Sequence, residues 1–411
     1  MVVESTPMWW PGGWVDPSLL ALLDGSAINC LLVGQGAELD PVRSRAQELG
    51  IKVVHAESLP ADVEIIKGVW PGVTISGSGG LDQISAGPTG AAWVDSNGWA
   101  IRLARATRPD ATVWVDAAPT ARQSIAAEPY QVAIADSSAH GGRWIVTLDR
   151  SQAEALAARQ PAALGAWKKI AAATRFFADH RAWAGYVPVA KVGVVSDFAG
   201  PDEFFNRELL NLLARTGAQY RILPKDKISD TSFRELRAVI YADSEPPVAD
   251  LRARMLAWVR AGGLLITVPK CGDLGGAPAA GGTHPGFSLR VLGSGRIAQS
   301  KTEPDDPSRF ASDSVVLVSH RYDLVRLWNG GATAAYYTMA PDKSRALVHL
   351  LFFAGRGADE ATVRVMGHFR TAAISTIDSP APRKVRVEPQ GDAVEVYLPP
   401  VSQYVALELV V

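Results

Sequence analysis

The sequence predicts an α/β multidomain protein with a shortened or degenerate TIM-like barrel, a flavodoxin-like domain and a C-terminal antiparallel β-sandwich. Three observations lead to this fold class. The chain has 411 residues, more than one ordinary core accommodates. Short β-branched runs alternate with helical stretches as far as Val268, which is typical of parallel α/β units. After Ser314 the helical signal fades, and closely spaced strand candidates follow.

The first predicted domain, residues 1–185, contains six apolar runs of strand length. Helix candidates at Asp40–Leu49 and Trp99–Ala106 lie between some of them, as in βα units. A complete eight-stranded barrel usually needs ~250 residues, so this barrel is predicted to be shortened. A long helix, Ser151–Trp183, then leads out of the domain. The predicted strands are Cys30–Val33, Ile51–Val54, Val73–Ile75, Thr112–Val115, Val132–Ile134 and Trp144–Thr147.

The second predicted domain, residues 186–312, repeats the α/β pattern with four strands and amphipathic helices between them. This is the pattern of a three-layer, flavodoxin-like unit. Residues 272–312 are rich in Gly, Pro, Ala and Ser and are predicted to form a long loop. The four predicted strands are Lys191–Ser196, Tyr220–Leu223, Ala238–Tyr241 and Leu264–Val268.

The third predicted domain, residues 313–411, consists of short strands separated by turn residues. Strands at this spacing favour an antiparallel sandwich, and we assign the domain to packing and interface roles. The predicted strands are Val315–Val318, Ala334–Met339, Arg345–Phe353, Ala361–Val365, Arg370–Ile377, Lys384–Glu388, Ala393–Leu398 and Tyr404–Val410.

The segment Leu256–Val268 combines a helix, a Gly262-Gly263 turn and a buried strand. With the order of the three domains, it resembles the architecture of family 42 β-galactosidases, whose middle domain looks like a class I glutamine amidotransferase and helps to build a trimer. The resemblance implies a carbohydrate context and homo-oligomerisation through the middle domain. The Asn-Glu pair that supplies the acid/base in that family does not occur in this chain.

Composition excludes several classes of partner. The formal net charge is −1 and no Lys/Arg cluster stands out, which argues against nucleic acid and anionic lipid. No run approaches the ~18 apolar residues of a membrane span. The seven histidines are scattered, without His-x-x-x-His or Cys-x-x-Cys spacing, so no metal or cofactor is expected. We expect a soluble protein, cytoplasmic or secreted with its signal peptide removed.

Ten of the twelve tryptophans lie in the first 183 residues, and three open the chain as Trp9-Trp10-Pro-Gly-Gly-Trp14. Indole rings stack on the C–H faces of sugars, and glycosidic bonds are cleaved by carboxyl groups. We therefore predict that Trp9, Trp10 and Trp14 form the rim or floor of a sugar pocket in the barrel. The alternative is that they are core residues, as large aromatic side chains often are.

The catalytic candidates are acids placed after predicted strands, since the site of a parallel barrel lies at the carboxyl ends of its strands. Asp116 and Asp136 are the preferred pair, because they follow consecutive predicted strands. Asp95, in a polar loop, is predicted to contact sugar hydroxyls or to replace one of the pair. Asp149 also follows a strand but leads straight into a helix, which favours a helix-cap role.

Further substrate contacts are predicted around these acids. His140-Gly-Gly-Arg143 offers a proton donor and an anion clamp, or else a simple turn between strands. The predicted contacts are Glu57, Trp93, Asn97, Trp99, His140 and Arg143.

Three functions compete. The leading hypothesis is a glycoside hydrolase that uses paired carboxylates of the first domain. The second is a catalytically silent carbohydrate-binding or scaffold protein with a degenerate barrel. The third is an amidohydrolase or amidotransferase that uses Cys271, but Pro269 and Asp273 occupy positions where such a nucleophile turn needs glycine, and no His-x-Glu lies in residues 186–312. We therefore predict that the middle domain is a structural or oligomerisation module.

Overall fold

A computed structural model describes residues 5–55, 58–78, 81–86, 94–280, 284–330, 332–353 and 360–411. Its first part alternates strands and helices. The elements are β1 (Pro7–Trp9), β2 (Cys30–Val33), α1 (Asp40–Glu48), β3 (Lys52–His55), β4 (Val63–Lys67), β5 (Val73–Ser78), β6 (Leu81–Ala86), α2 (Gly98–Thr107), β7 (Thr112–Asp116), β8 (Gln123–Ile125), α3 (Ala127–Ala139), β9 (Arg143–Trp144), α4 (Arg150–Ala157) and α5 (Pro161–Asp179).

Six of these strands form a parallel arc in the order β3-β2-β1-β9-β7-β4. Parallel pairing joins β1, β2 and β3, and likewise β4, β7 and β9. A parallel bridge between Met8 and Val146 connects the two sets. In chain order β1 is the first strand of the arc and β9 is the last, and these two lie side by side, as the first and last strands of a closed barrel do. Among the described residues, no pairing joins β3 to β4.

The interior of the arc is filled by side chains from five of the six strands and by Ile145, which directly follows β9. Alternate residues of a strand point to opposite faces, so one set turns inward and the other packs on the helices. Trp114 is fully buried at the centre of the inward set. The inward set comprises Trp9, Cys30, Leu32, Val54, Val63, Ile65, Trp114 and Ile145.

Two predictions for the first part are wrong. Val132–Ile134 belongs to helix α3, not to a strand. The predicted helix Ser151–Trp183 is two helices, because Arg159 adopts a left-handed conformation (φ 53°) and Pro161 starts a new helix. A short 3-10 turn, Arg181–Gly185, follows α5.

The middle part contains a sheet in the order β12-β11-β13-β14-β17-β16-β15, in which the first five strands are parallel. In chain order these five read 2-1-3-4-5, the order of flavodoxin-type sheets. The elements after the edge strand β10 (Val187–Pro188) are β11 (Val192–Ser196), α6 (Glu203–Arg215), β12 (Tyr220–Pro224), β13 (Ala238–Tyr241), α7 (Ala249–Arg260), β14 (Leu264–Thr267), β15 (Ala277–Pro278), β16 (Phe287–Leu292), β17 (Gly295–Ser300) and α8 (Pro307–Val318).

The segment predicted as a loop, 272–312, instead contains the hairpin of β16 and β17 and the start of helix α8. Gly293 turns the hairpin with a positive φ of 62°. The predicted strand Val315–Val318 is the last turn of α8, whose first turn is capped by Asp306 through the Ser308 N–H. Helix α8 packs on α6, and Phe310 lies in the core of the middle part.

The last part is a nine-stranded antiparallel sheet in the order β10-β19-β20-β25-β22-β23-β24-β21-β18. Strand β23 pairs with β22 near its start and with β24 beyond it, and both halves of the sheet share one apolar core. The strands are β18 (Val325–Trp328), β19 (Thr333–Met339), β20 (Arg345–Phe352), β21 (Ala361–Met366), β22 (Thr371–Ser375), β23 (Arg383–Gln390), β24 (Ala393–Leu398) and β25 (Tyr404–Val410).

The three parts are packed together. Strand β10, on the segment between the first two parts, pairs with β19 of the last part. Phe176 and Phe177 of α5 contact the ring of Tyr404 on β25. Leu103 of α2 lies in the core cluster of the middle part. These contacts position α2, the end of α5, β12 and β19 around a common space.

Candidate functional site

The carboxyl end of the six-stranded arc, which we call the mouth, places Trp9 beside Asp116. Both residues end their strands; Trp9 packs against the inward cluster that contains the buried Trp114, and Asp116 lies two residues after Trp114 on the same face of β7. The Trp9 indole N–H donates a hydrogen bond of 3.1 Å to Oδ1 of Asp116. Both side chains are partly exposed, and Lys67 is the register partner of Asp116 on β4. The mouth therefore combines an aromatic face, a carboxylate and an ammonium group.

Trp10 and Trp14 do not line the mouth, which corrects the prediction of a three-indole platform. Both rings are buried in the core and meet edge to face, with centroids 5.0 Å apart. The Trp10 indole donates to the Trp14 backbone oxygen at 2.8 Å, and the Trp14 indole donates to that of Ala153 at 3.0 Å. With their polar atoms satisfied inside the protein, these two indoles act as core residues.

Asp136 is not at the end of a strand and does not face Asp116. It lies on helix α3 with a fully buried side chain, and its Oδ2 accepts a 2.7 Å hydrogen bond from the Asn97 backbone N–H. Burial raises the pKa of Asp136 to about 6, although the Asn97 hydrogen bonds and Arg102 oppose the shift. The preferred catalytic pair of the sequence is therefore not assembled, because helix α3 carries Asp136 into the interior.

Asn97 and His140 surround Asp136 and have structural contacts of their own. The Asn97 amide accepts from the Val69 N–H at 2.8 Å and donates to the Val69 oxygen at 3.0 Å, which secures the chain after β4. Nδ1 of His140 lies 2.8 Å from the backbone oxygen of Asp136. Burial lowers the pKa of His140 to about 3, so the imidazole is neutral at pH 7 and is not an acid.

Asp95 and Trp99 face the middle part rather than the mouth. The Asp95 carboxylate pairs with Arg215, and it accepts a 3.3 Å hydrogen bond from the Asn211 amide; both partners are on α6. Trp99 packs against the core cluster of the middle part. These positions correct their prediction as sugar contacts, because the loop before α2 is turned towards α6.

Asp149 is buried and caps helix α4. It accepts hydrogen bonds from the Ile125 and Gln152 N–H groups and from the Ser151 hydroxyl. A carboxylate with three donors is held for structure, as its place before a helix indicates. Glu57 and Trp93, two other predicted contacts, lie outside the described residues.

Sequence reasoning missed Trp70, which follows β4 three residues after its last residue. Its partly exposed ring contacts those of Tyr130 and Trp144 edge to face, at 4.9 and 4.8 Å between centroids. Its place just after a strand of the arc was the signal in the sequence that could have added Trp70 to the aromatic candidates.

Sequence reasoning also missed a cavity of about 280 Å³ between the three parts. His140 and Arg143 line it, together with Arg102 of α2, Tyr220 of β12 and Tyr336 of β19. No local sequence pattern marks it, because its walls come from distant segments of the chain.

The described residues contain no group of three or more His, Cys, Asp or Glu side chains placed to hold a metal ion. Within the same residues, no helix has both the length and the apolar character needed to cross a membrane.

Several solved structures share this architecture. A GH42 beta-galactosidase from G. stearothermophilus, in a catalytic mutant form, matches with a TM-score of 0.52 and 10% identity over 76% of this chain and 56% of that chain. Alpha-L-fucosidase isoenzyme 2 from Paenibacillus thiaminolyticus matches with a TM-score of 0.52 and 9% identity, over 96% of this chain and 80% of that one. The beta-galactosidase from Bacillus circulans sp. alkalophilus matches with a TM-score of 0.50 and 12% identity, over 76% and 57%.

The chain therefore has a distant GH42-like architecture, a mixed α/β multidomain fold, as its sequence predicted. It spans 56% and 57% of the lengths of the two beta-galactosidases. No family model and no curated protein sequence matches it. At this level of identity the likeness concerns the fold, so the activity has to be argued from the residues of the site.

Proposed function

We propose that this chain is a carbohydrate-active protein that binds a sugar at the mouth of the six-stranded arc. The observation that carries the proposal is the contact between the Trp9 indole and the Asp116 carboxylate at the carboxyl ends of their strands. A partly exposed indole offers an apolar face for a pyranose ring, and a carboxylate accepts hydrogen bonds from its hydroxyls. The glycosidase-like architecture is consistent with this use of the mouth.

Binding is supported more directly than hydrolysis. Glycoside hydrolysis requires two carboxyl groups, ~5–5.5 Å apart for retention or ~6.5–9.5 Å for inversion. Of the predicted carboxylates, Asp136 is buried, Asp95 pairs with Arg215 on α6, and Asp149 caps α4. Asp116 remains at the mouth. We therefore propose a carbohydrate-binding role on a degenerate barrel as the primary function.

Hydrolysis is the second candidate, with Asp116 and Glu57 as the carboxyl pair. Glu57 follows β3 by two residues, and β3 and β4 are the two ends of the arc. Asp116 ends β7, the strand next to β4.

The middle part is proposed to be an amidotransferase-like structural module through which copies of the chain associate, and the last part a β-sandwich. The parallel order 2-1-3-4-5 supports the first assignment. Cys271 is fully buried, and burial raises the pKa of its thiol, so it is a poor nucleophile.

A glycan array, followed by titration calorimetry on the best ligand, tests the binding proposal. We expect Trp9→Ala and Asp116→Asn each to weaken binding at least about tenfold, the loss expected for a charged hydrogen bond or a stacked ring. Asp110→Asn is the matched control, because Asp110 is exposed and precedes the opposite end of β7. The proposal would be contradicted if no glycan on the array bound, or if both Trp9→Ala and Asp116→Asn bound the ligand as tightly as the wild type.

A screen of aryl glycosides then separates binding from hydrolysis. For a hydrolase, Glu57→Gln and Asp116→Asn are each expected to reduce turnover by roughly 10²–10⁴-fold. A sugar-binding protein gives no turnover in the wild type while retaining its array ligands.

A further inference from the structure

The cavity between the three parts, called the junction cavity from here on, has a cationic lining. Five arginines line it: Arg102 and Arg105 of α2, Arg143 of β9, Arg181 of the turn after α5, and Arg221 of β12. Four of them, Arg102, Arg105, Arg181 and Arg221, make no ion pair with a described carboxylate within 4.0 Å, and no Asp or Glu is among the described lining residues. Guanidinium groups gathered without carboxylates repel one another, so the arrangement gains free energy from a bound anion.

Contacts with neighbouring residues of the lining hold Arg102 in place. Its guanidinium carbon lies 3.9 Å from the ring centroid of Tyr220 and 5.4 Å from that of Tyr336, and its Nε donates to the backbone oxygen of Gly98. Stacking on aromatic rings restricts the side chain before any ligand arrives. The carboxylate of Asp136 interacts electrostatically with Arg102, but it is fully buried, does not line the cavity and makes no ion pair with Arg102.

The remaining wall is aromatic. Trp183 stacks on His180 with centroids 4.1 Å apart, and Tyr336 lies 4.6 Å from the ring of His140. Burial lowers the pKa of His140 and His349 to about 3, so at pH 7 they contribute neutral rings to the wall. The cavity thus offers flat apolar faces beside fixed guanidinium groups.

We propose that the junction cavity is a second ligand site, which binds an anionic monosaccharide derivative carrying a carboxylate or a phosphate. The arginines specify the anion, since the planar guanidinium matches both groups with paired hydrogen bonds. A volume of about 280 Å³ is at the small end of ligand pockets and suits one ring. That this ring is a sugar rests on the proposed function, whereas the anionic character does not.

The ligand would touch all three parts of the chain. Its contacts would include α2, the turn after α5, β12 and β19. Binding therefore also stabilises the packing of the parts, and a rise in melting temperature with ligand concentration is expected.

Titration calorimetry with four probes tests the site: D-glucuronate, D-glucose 6-phosphate, D-glucose and inorganic phosphate. We expect at least one of the two sugar acids to bind at least about tenfold more tightly than either D-glucose or inorganic phosphate. The better of the two acids identifies the anion. Failure of both to bind, equal binding of D-glucose, or equal binding of inorganic phosphate would overturn the proposal.

Variants locate the binding. Arg102→Gln and Arg181→Gln are each expected to lower the affinity for the sugar acid at least about tenfold. Arg181 is exposed, so its replacement keeps the test valid even if Arg102→Gln unfolds. Arg383→Gln, on the exposed start of β23, is the matched control. The assignment would be overturned if Arg181→Gln bound the sugar acid as tightly as the wild type. It would also be overturned if Asp116→Asn no longer bound the sugar acid, a result that would place the ligand at the mouth.

Discussion

The buried carboxyl of Asp136 gives the protein a pH-dependent stability that Asp136→Asn should remove. Burial raises the pKa of Asp136 to about 6 in the folded protein, against about 3.9 in an unfolded chain. The folded state therefore holds the proton more tightly than the unfolded state. The stabilisation that results is complete only well below pH ~4 and is lost as the pH rises through ~6.

The magnitude follows from the two pKa values. A difference of about two units corresponds to roughly 3 kcal/mol of unfolding free energy at ~1.4 kcal/mol per unit. Asparagine is neutral at every pH, and its oxygen can still accept the hydrogen bond of the Asn97 N–H. The wild type should therefore lose roughly 2 kcal/mol of this relative to Asp136→Asn between pH 4 and pH 7, because part of the loss already occurs below pH 4.

Urea unfolding at pH 4, 5, 6 and 7 measures this difference. Tryptophan fluorescence reports on the relevant part, because ten of the twelve tryptophans lie in the first 183 residues. Asp110→Asn is the control, since its exposed carboxylate is solvated in both states. If the wild type and Asp136→Asn keep a constant difference over this range, Asp136 is not buried as described, and a direct role at a solvated site becomes the better explanation.

Three further predictions concern residues outside the mouth. Trp14→Phe should lower the free energy of unfolding by about 1–3 kcal/mol in urea titrations, because the buried backbone oxygen of Ala153 loses its hydrogen-bond donor, while the affinity for the sugar should not change. Gly98→Ala should cost about 1–3 kcal/mol in the same assay, because the added Cβ would lie 2.4–2.6 Å from atoms of the His140 ring. Cys271 should react with a thiol reagent only in denaturant, and Cys271→Ser should bind sugar as the wild type does; rapid labelling of the folded protein would contradict its burial.

Helices and strands could be predicted from the sequence where only one face of the element is apolar, or where a strand is fully buried and forms a short apolar run. The four strands predicted for the middle part all occur. Helix α3 escaped prediction because eleven of its thirteen residues are buried, which removes the amphipathic period and leaves an apolar run that resembles a strand. Helix α8 escaped for a related reason: its last turn, Val315–Val318, is apolar and β-branched, although Asp306 and Pro307 mark its start.

The candidate site was only partly predictable. Asp116 was selected because it follows a predicted strand and Trp9 because it belongs to the indole cluster near the start of the chain, and the structure places both at the ends of strands of the arc. Asp136 was misplaced together with its helix, and Trp10 and Trp14 were misplaced because an aromatic residue looks the same in a sequence whether it packs or binds. Long-range packing decides between those two outcomes, and it also creates the junction cavity.

The central claim is that Trp9 and Asp116 bind a sugar at the mouth. A crystal structure of the protein with its best glycan-array ligand tests it most directly. We expect a pyranose ring against the Trp9 indole, with a hydroxyl within hydrogen-bond distance of the Asp116 carboxylate. A sugar bound elsewhere, with Trp9 and Asp116 still in contact only with each other, would contradict it.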